Sequence, residues 1–197
     1  MKHSNTKEKI LDVALKLFSQ KSYSGASIRE ISKEIGIRES AIYNHFNSKD
    51  EILSKIISNF SKRNFGSLIL TDKLINNISK PEKFFQLLSN NLLEFWSIDQ
   101  ERMFIKLLMS KNIEGTSQIQ YSLYDYFKDF EKLCSFIFKE MMNHKFIRKS
   151  NVDVLSKEFL SPLFLMEIEL IFNTNKTSDY KLNTKKHAEF FWNAVRN

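Results

Sequence analysis

The sequence predicts an all-α fold, an N-terminal three-helix head followed by a helical body. Apolar residues recur at helical spacing along the chain, and Gly (4) and Pro (2) are scarce among 197 residues. Three helix-start signatures crowd the first fifty positions. A sheet-rich fold would need more turn punctuation than this.

Residues 5–21 place Ile10, Leu11, Ala14, Leu17 and Phe18 on one helical face, with Asn5 and Glu8 in capping-box register. Lys21 to Ala26, which includes Gly25, is a break. Ser27-Ile28-Arg29-Glu30 is a capping box: the hydroxyl can accept the Glu30 N–H while the carboxylate reaches back. It opens a short helix ending near Glu34, and Gly36 supplies the turn. A second short helix covers about 38–45. Ser48-Lys49-Asp50-Glu51 repeats the signature and opens a longer helix, 48–65, through Ile52, Leu53, Ile56, Ile57 and Phe60. Further helices are expected at about 81–97, with Pro81 in the first turn, then 99–111, 117–146, 153–175 and 184–196. Loops are expected around Thr71 to Lys80 and around Gly115. The division expected is a head of residues 1–48 and a body of residues 49–197.

The 42% hydrophobic content, with 18 Phe, suffices for a sizeable core. The single cysteine, Cys134, excludes an intramolecular disulfide and a cysteine-rich metal site, and its apolar surroundings predict a core residue. No export signal is visible, and the most apolar run, Pro162 to Phe172, carries Glu167 and Glu169 and is too short to span a bilayer. A soluble cytoplasmic protein with no membrane partner is expected. Residues 1–65 hold 12 Lys/Arg against 7 Asp/Glu, a net of +5 of the total +7. A basic surface attracts phosphates, although lysine-rich proteins are often merely solvated.

Residues 28–46 read IREISKEIGIRESAIYNHF. Ile28, Ile31, Ile35, Ile37, Ile42 and Phe46 can face inward, which turns Arg29, Arg38, Glu39, Ser40, Tyr43 and Asn44 outward. A short helix, a glycine turn and a second short helix with a polar face make helix-turn-helix geometry, in which the second helix can enter a major groove. A three-helix bundle that touches nothing shares the same periodicity. An enzyme is the rival class. Its usual marks are missing: His3, His45, His144 and His187 are scattered, and there is no glycine-rich phosphate loop, nucleophile elbow or zinc helix. Neither catalytic residues, metal nor cofactor are expected. A helical protein-interaction module is a third reading.

The motif-level pattern of residues 6–60 resembles the TetR family of bacterial transcription regulators. The resemblance rests on the first helix ending in Phe18, the approach Tyr23 to Ser27, Ile31 with Gly36 and Ile37, and above all the run from Ala41 through Tyr43, His45 and Phe46 to Leu53. It implies a ligand-responsive regulator, most simply a repressor, that binds a palindromic operator in double-stranded DNA as a homodimer. Tyr43 and Lys49 then resemble phosphate contacts, Ser27 and Arg29 are positioned for phosphates or a base edge, and Arg38, Glu39, Ser40 and Asn44 occupy groove-facing positions. By base-edge chemistry Arg38 suits guanine, Asn44 adenine and Glu39 a cytosine amine. His45 suits a backbone contact or packing against the turn. The chain departs from the family at Arg38, where a Ser or Thr often caps the helix, and at Glu39, where a base is common.

The same resemblance implies reading heads about 34–36 Å apart on DNA and a ligand-driven shift of helix 48–65. It also implies an effector pocket among residues 81–146. Candidate lining residues are Phe85, Leu88, Leu92, Trp96, Phe104, Leu108, Tyr124, Phe127 and Phe138, a wall suited to an apolar or aromatic small molecule. The last two helices would pair between subunits through Phe159, Leu163, Met166, Leu170, Phe190, Phe191 and Ala194. Burial inside one subunit explains their apolarity equally well.

Overall fold

The computed structural model describes residues 6–110, 121–172 and 180–197. The described residues form helices without a strand. In order these are α1 (Thr6–Gly25), α2 (Ile28–Ile35), α3 (Glu39–Tyr43), α4 (Lys49–Ser61), α5 (Phe65–Ile69) and α6 (Asp72–Ile75). Then come α7 (Pro81–Trp96), α8 (Asp99–Met109), α9 (Leu123–Asn143), α10 (Val152–Phe172) and α11 (Tyr180–Val195). The chain divides into two compact units, Met1–Arg63 with Asp99–Tyr126, and Asn64–Ile98 with Phe127–Asn197.

In the first unit, Ile10, Ala14, Leu17 and Phe18 bury the predicted face of α1. The helix kinks at Ser22, whose φ of 64° is incompatible with a continuing right-handed turn. The Ser27 capping box is complete: its hydroxyl accepts the Glu30 N–H at 3.2 Å and the Glu30 carboxylate accepts the Ser27 N–H at 2.8 Å. Gly36 ends α2 in the left-handed region, φ 79°. At α4 the Ser48 hydroxyl accepts the Glu51 N–H at 3.1 Å, but the return arm lands one residue earlier, on the Asn47 N–H at 2.6 Å. Asn5, the expected first cap, lies outside the described residues.

Two expectations after Ser61 are corrected. Helix α4 stops there rather than at residue 65, because Asn64 caps a new turn by accepting the Ser67 N–H at 3.2 Å. The expected loop 71–80 contains α6, started by Thr71 accepting the Leu74 N–H at 3.3 Å. In the first unit Ile52, Leu53 and Ile56 of α4 are buried. Helix α8 belongs there too. Phe60 and Phe104 stack at 4.1 Å, and the Arg63 guanidinium forks onto the buried Glu101 carboxylate, which also accepts the Tyr126 hydroxyl at 3.0 Å.

The second unit is built on aromatic packing. Phe85 of α7 lies 5.8 Å from Phe138, 5.8 Å from Phe159 and 5.1 Å from Phe191, so α7, α9, α10 and α11 share one core. Cys134 is buried among them, and burial pushes its thiol well above the usual range. Ser122 and Asp125 exchange hydrogen bonds at the start of α9, a box that the sequence displays. The helix ends three residues short of 146 because Lys145 turns left-handed (φ 60°) and the Phe146 N–H bonds back to the Met141 carbonyl at 2.9 Å. Helix α11 begins at Tyr180 rather than at residue 184. The expected loop at Gly115, residues 117–120 and the 173–175 end of the tenth helix lie outside the described residues. Among the described residues no helix is long and apolar enough to cross a membrane.

Gly36 carries a sharp test. A Cβ there would meet no atom within 4 Å, so only backbone strain opposes it. Gly36→Ala should therefore lower unfolding stability by about 1–2 kcal/mol in urea titration, with the helical circular-dichroism signature retained.

Candidate nucleic-acid interface

Helices α2 and α3 are eight and five residues long, too short to persist alone. Their buried residues hold them: Ile31, Ile42 and Phe46 are buried, with Ile28, Ile35 and Ile37 half-buried beside them. The opposite side presents Ser27, Arg29, Arg38, Glu39, Ser40, Tyr43 and Asn44, all exposed. All seven are thus open to solvent on the helix-turn-helix, and Tyr43 is 53% exposed despite its size. His45 is half-buried, its backbone N–H donating to the Ile42 carbonyl at 2.9 Å, at the turn rather than in the row. Arg38 stands at the N-cap of α3 and makes no side-chain cap bond, so that position lacks the usual hydroxyl, as the sequence indicates.

Ties to α1 and α4 fix the orientation of this surface. The Lys49 ammonium donates to the Tyr23 and Ala26 carbonyls, each at 2.9 Å, and stands 4.2 Å from the Tyr23 ring centroid. The Tyr23 hydroxyl donates to Asp50 at 2.6 Å, and burial, then that bond, push its ionisation well above the usual range. Lys16–Glu34 and Lys21–Glu30 bridge α1 to α2 at 2.7 and 2.6 Å. Hydrogen bonding from Lys21, then from Ser27, holds the Glu30 carboxyl down to about 2. The Tyr23–Asp50 bond joins residues 27 apart, so no local pattern announces it. Lys49, expected at a phosphate, uses two donors on carbonyls and has one left.

Residues 10–56 match the family model of bacterial regulatory proteins, tetR family. The match covers the head, and there the chain is similar to the TetR family. The biofilm operon icaADBC HTH-type negative transcriptional regulator IcaR of Staphylococcus epidermidis is 42% identical over 53 residues, 27% of this chain and 29% of IcaR. The chain therefore spans under a third of the length of that curated relative. A Mesorhizobium loti structure attributed to the TetR family superposes with a TM-score of 0.75 at 18% identity, over 97% of this chain and 96% of that one. The transcriptional regulator FadR of Bacillus subtilis, in complex with stearoyl-CoA, gives 0.65 at 15% identity, over 93% and 96%. At such identities the likeness is one of TetR-family fold.

The remaining site expectations fall in different places. Of the candidate pocket residues, Phe85, Leu88, Leu92, Trp96 and Phe138 are fully buried and Phe127 half-buried in the second unit. Phe104, Leu108 and Tyr124 belong to the first unit; Phe104 is buried and Tyr124 exposed. Of the candidate pairing residues, Phe159, Leu163, Leu170 and Phe191 are buried within the chain, Phe85 meeting both Phe159 and Phe191. Met166 is half-buried, while Ala194 and Phe190 (73%) are exposed. The sequence reading missed Leu165 and Phe172, bare on α10 at 59% and 70%. Their spacing is apolar on every side of that helix, so periodicity could not single out the outer face.

Lys49→Ala should lower head stability by about 1–2 kcal/mol and Tyr23→Phe by about 1 kcal/mol in urea unfolding. A double variant that loses less than the sum of the two would show one connected network.

Proposed function

We propose that the chain is a DNA-binding transcription regulator, with residues 1–48 as the reading head and residues 49–197 as the sensing and pairing body. It binds a palindromic operator as a homodimer through residues 28–46, and a small-molecule effector in the body releases it. One observation carries this reading: an exposed polar row on two short helices whose opposite side is buried isoleucine and phenylalanine. The head's net positive charge and the named role of IcaR as a negative regulator support repression. The long acyl chain of FadR's stearoyl-CoA supports an effector with an apolar part and a body that senses it. In the exposed row Tyr43, Ser27 and Arg29 meet phosphates, helped by the last free donor of Lys49, while Arg38, Glu39, Ser40 and Asn44 meet base edges. The protein works in the cytoplasm, where its operator is.

Homodimer pairing is supported by the bare apolar faces of α10 and α11, where Leu165, Phe172, Leu182 and Phe190 are all exposed. Phe172→Glu with Phe190→Glu should convert the dimer to monomer in sedimentation velocity and abolish tight operator binding. A monomeric parent protein would end the pairing proposal.

Gel shifts with the DNA upstream of the chain's own gene test the reading itself. Binding should weaken by roughly a thousandfold between about 50 and 200 mM salt. Tyr43→Phe should weaken binding to every sequence by about threefold to tenfold, whereas Asn44→Ala should relax preference at one base position by about 1–3 kcal/mol. A protein indifferent to salt and sequence would fail the proposal.

A further inference from the structure

Two side-chain polar atoms are fully buried without a hydrogen-bond partner among the described residues, Ser89 Oγ and Trp96 Nε1. Folded proteins leave few such groups, because an unmet buried donor carries its whole desolvation cost. Both lie on α7, seven residues apart. Seven residues are two turns, so the two share one face about 10 Å apart along the axis.

The neighbours of that face are apolar. At one end Phe85 meets Phe138 and Phe159. At the other Trp96 packs edge-on against Phe130 and Phe164 at 5.1 and 5.2 Å. Phe164 in turn meets Phe127 at 5.3 Å, and these two rings are half-buried. Trp96 therefore lies one aromatic layer beneath the surface of this unit, under two side chains able to part by rotamer change.

An indole N–H only donates, so its missing partner is an acceptor; a serine hydroxyl can donate or accept.

We propose that the core of the second unit takes an elongated, largely apolar molecule with oxygen functions about 10 Å apart. Trp96 Nε1–H donates to one oxygen and the Ser89 hydroxyl bonds the other. This deepens the sensing role given above and rests on it. It also narrows the ligand class, separating carbonyl compounds from hydrocarbons of the same length.

The test uses the full chain with Trp192→Phe, which leaves Trp96 as the sole indole. Three probes of equal chain length are titrated by calorimetry and Trp96 emission: undecane, the same chain with a ketone one carbon in from each end, and undecanoate. The diketone should bind at least tenfold more tightly than the hydrocarbon, the effect of one hydrogen bond, and should shift Trp96 emission to the red. Undecanoate, with oxygen at one end only, should bind less tightly than the diketone. Ser89→Ala and Trp96→Phe should each cost the diketone about tenfold and leave the hydrocarbon nearly unchanged. Should Trp96→Phe lose its melting transition, Ser89→Ala decides alone. Equal binding of hydrocarbon and diketone, preference for undecanoate, indifference of the variants, or no binding by any probe would each overturn the site. Gel shifts of the ligand-free Ser89→Ala chain keep the readings apart: failure to bind DNA there counts against the regulator, not against the pocket.

Discussion

The reading surface depends on one knot, in which Lys49 and Asp50 at the start of α4 grip Tyr23 at the end of α1. Helices of eight and five residues gain little from their own backbone bonds. Their direction is set by what they lean on. Lys49 satisfies two carbonyls where α1 gives way to α2, Asp50 takes the Tyr23 hydroxyl, and the ammonium stands over the same tyrosine ring. Each partner is held by another already ordered, so each further bond costs little additional side-chain entropy. Ile31, Ile42 and Phe46 then seat both short helices on that frame. The exposed row follows by exclusion, since three inward residues on so short a segment leave one direction for the rest.

Much of this was legible because helix starts are written locally. Ser27 with Glu30 and Ser48 with Glu51 announce their helices within four residues, and Gly36 announces the turn between α2 and α3. Ends are harder to read. The chain leaves α9 at Lys145, a residue that tolerates a left-handed φ only because the Phe146 N–H returns to Met141, and no glycine marks the place. Facing is harder still. Phe159 and Phe191 look like pairing residues by spacing, but only the position of Phe85 reveals that they are already covered. On α10 every side is apolar, so tertiary structure alone tells inner from outer. The Tyr23–Asp50 bond lay beyond local reading for the same reason.

The buried polar groups of the two units contrast. In the first, Glu101 is enclosed yet fully engaged, with the Arg63 fork on its oxygens and the Tyr126 hydroxyl alongside. Such a network fixes geometry, because removing any member leaves a buried charge or donor unmet. In the second, Trp96 and Ser89 stand unmet within an aromatic packing that would be content with Phe and Ala at both positions. A core selected for stability alone gains nothing from those two heteroatoms. Their presence is economical only if something else meets them some of the time.

The chemistry of the exposed row bears on how affinity and selectivity divide. Two of the three Lys49 donors are already spent on the fold, which limits that side chain to one phosphate bond. Glu39 adds a negative charge in the first turn of α3, where backbone N–H groups otherwise favour an anion from outside. Both features lower attraction to phosphate in general. Neither penalises a site whose base edges offer a donor to Glu39 and an acceptor to Arg38. Weak nonspecific binding raises the ratio between the right site and the many wrong ones even when absolute affinity is modest. On the proposed function, Glu39 favours discrimination between sites over general attraction to phosphate.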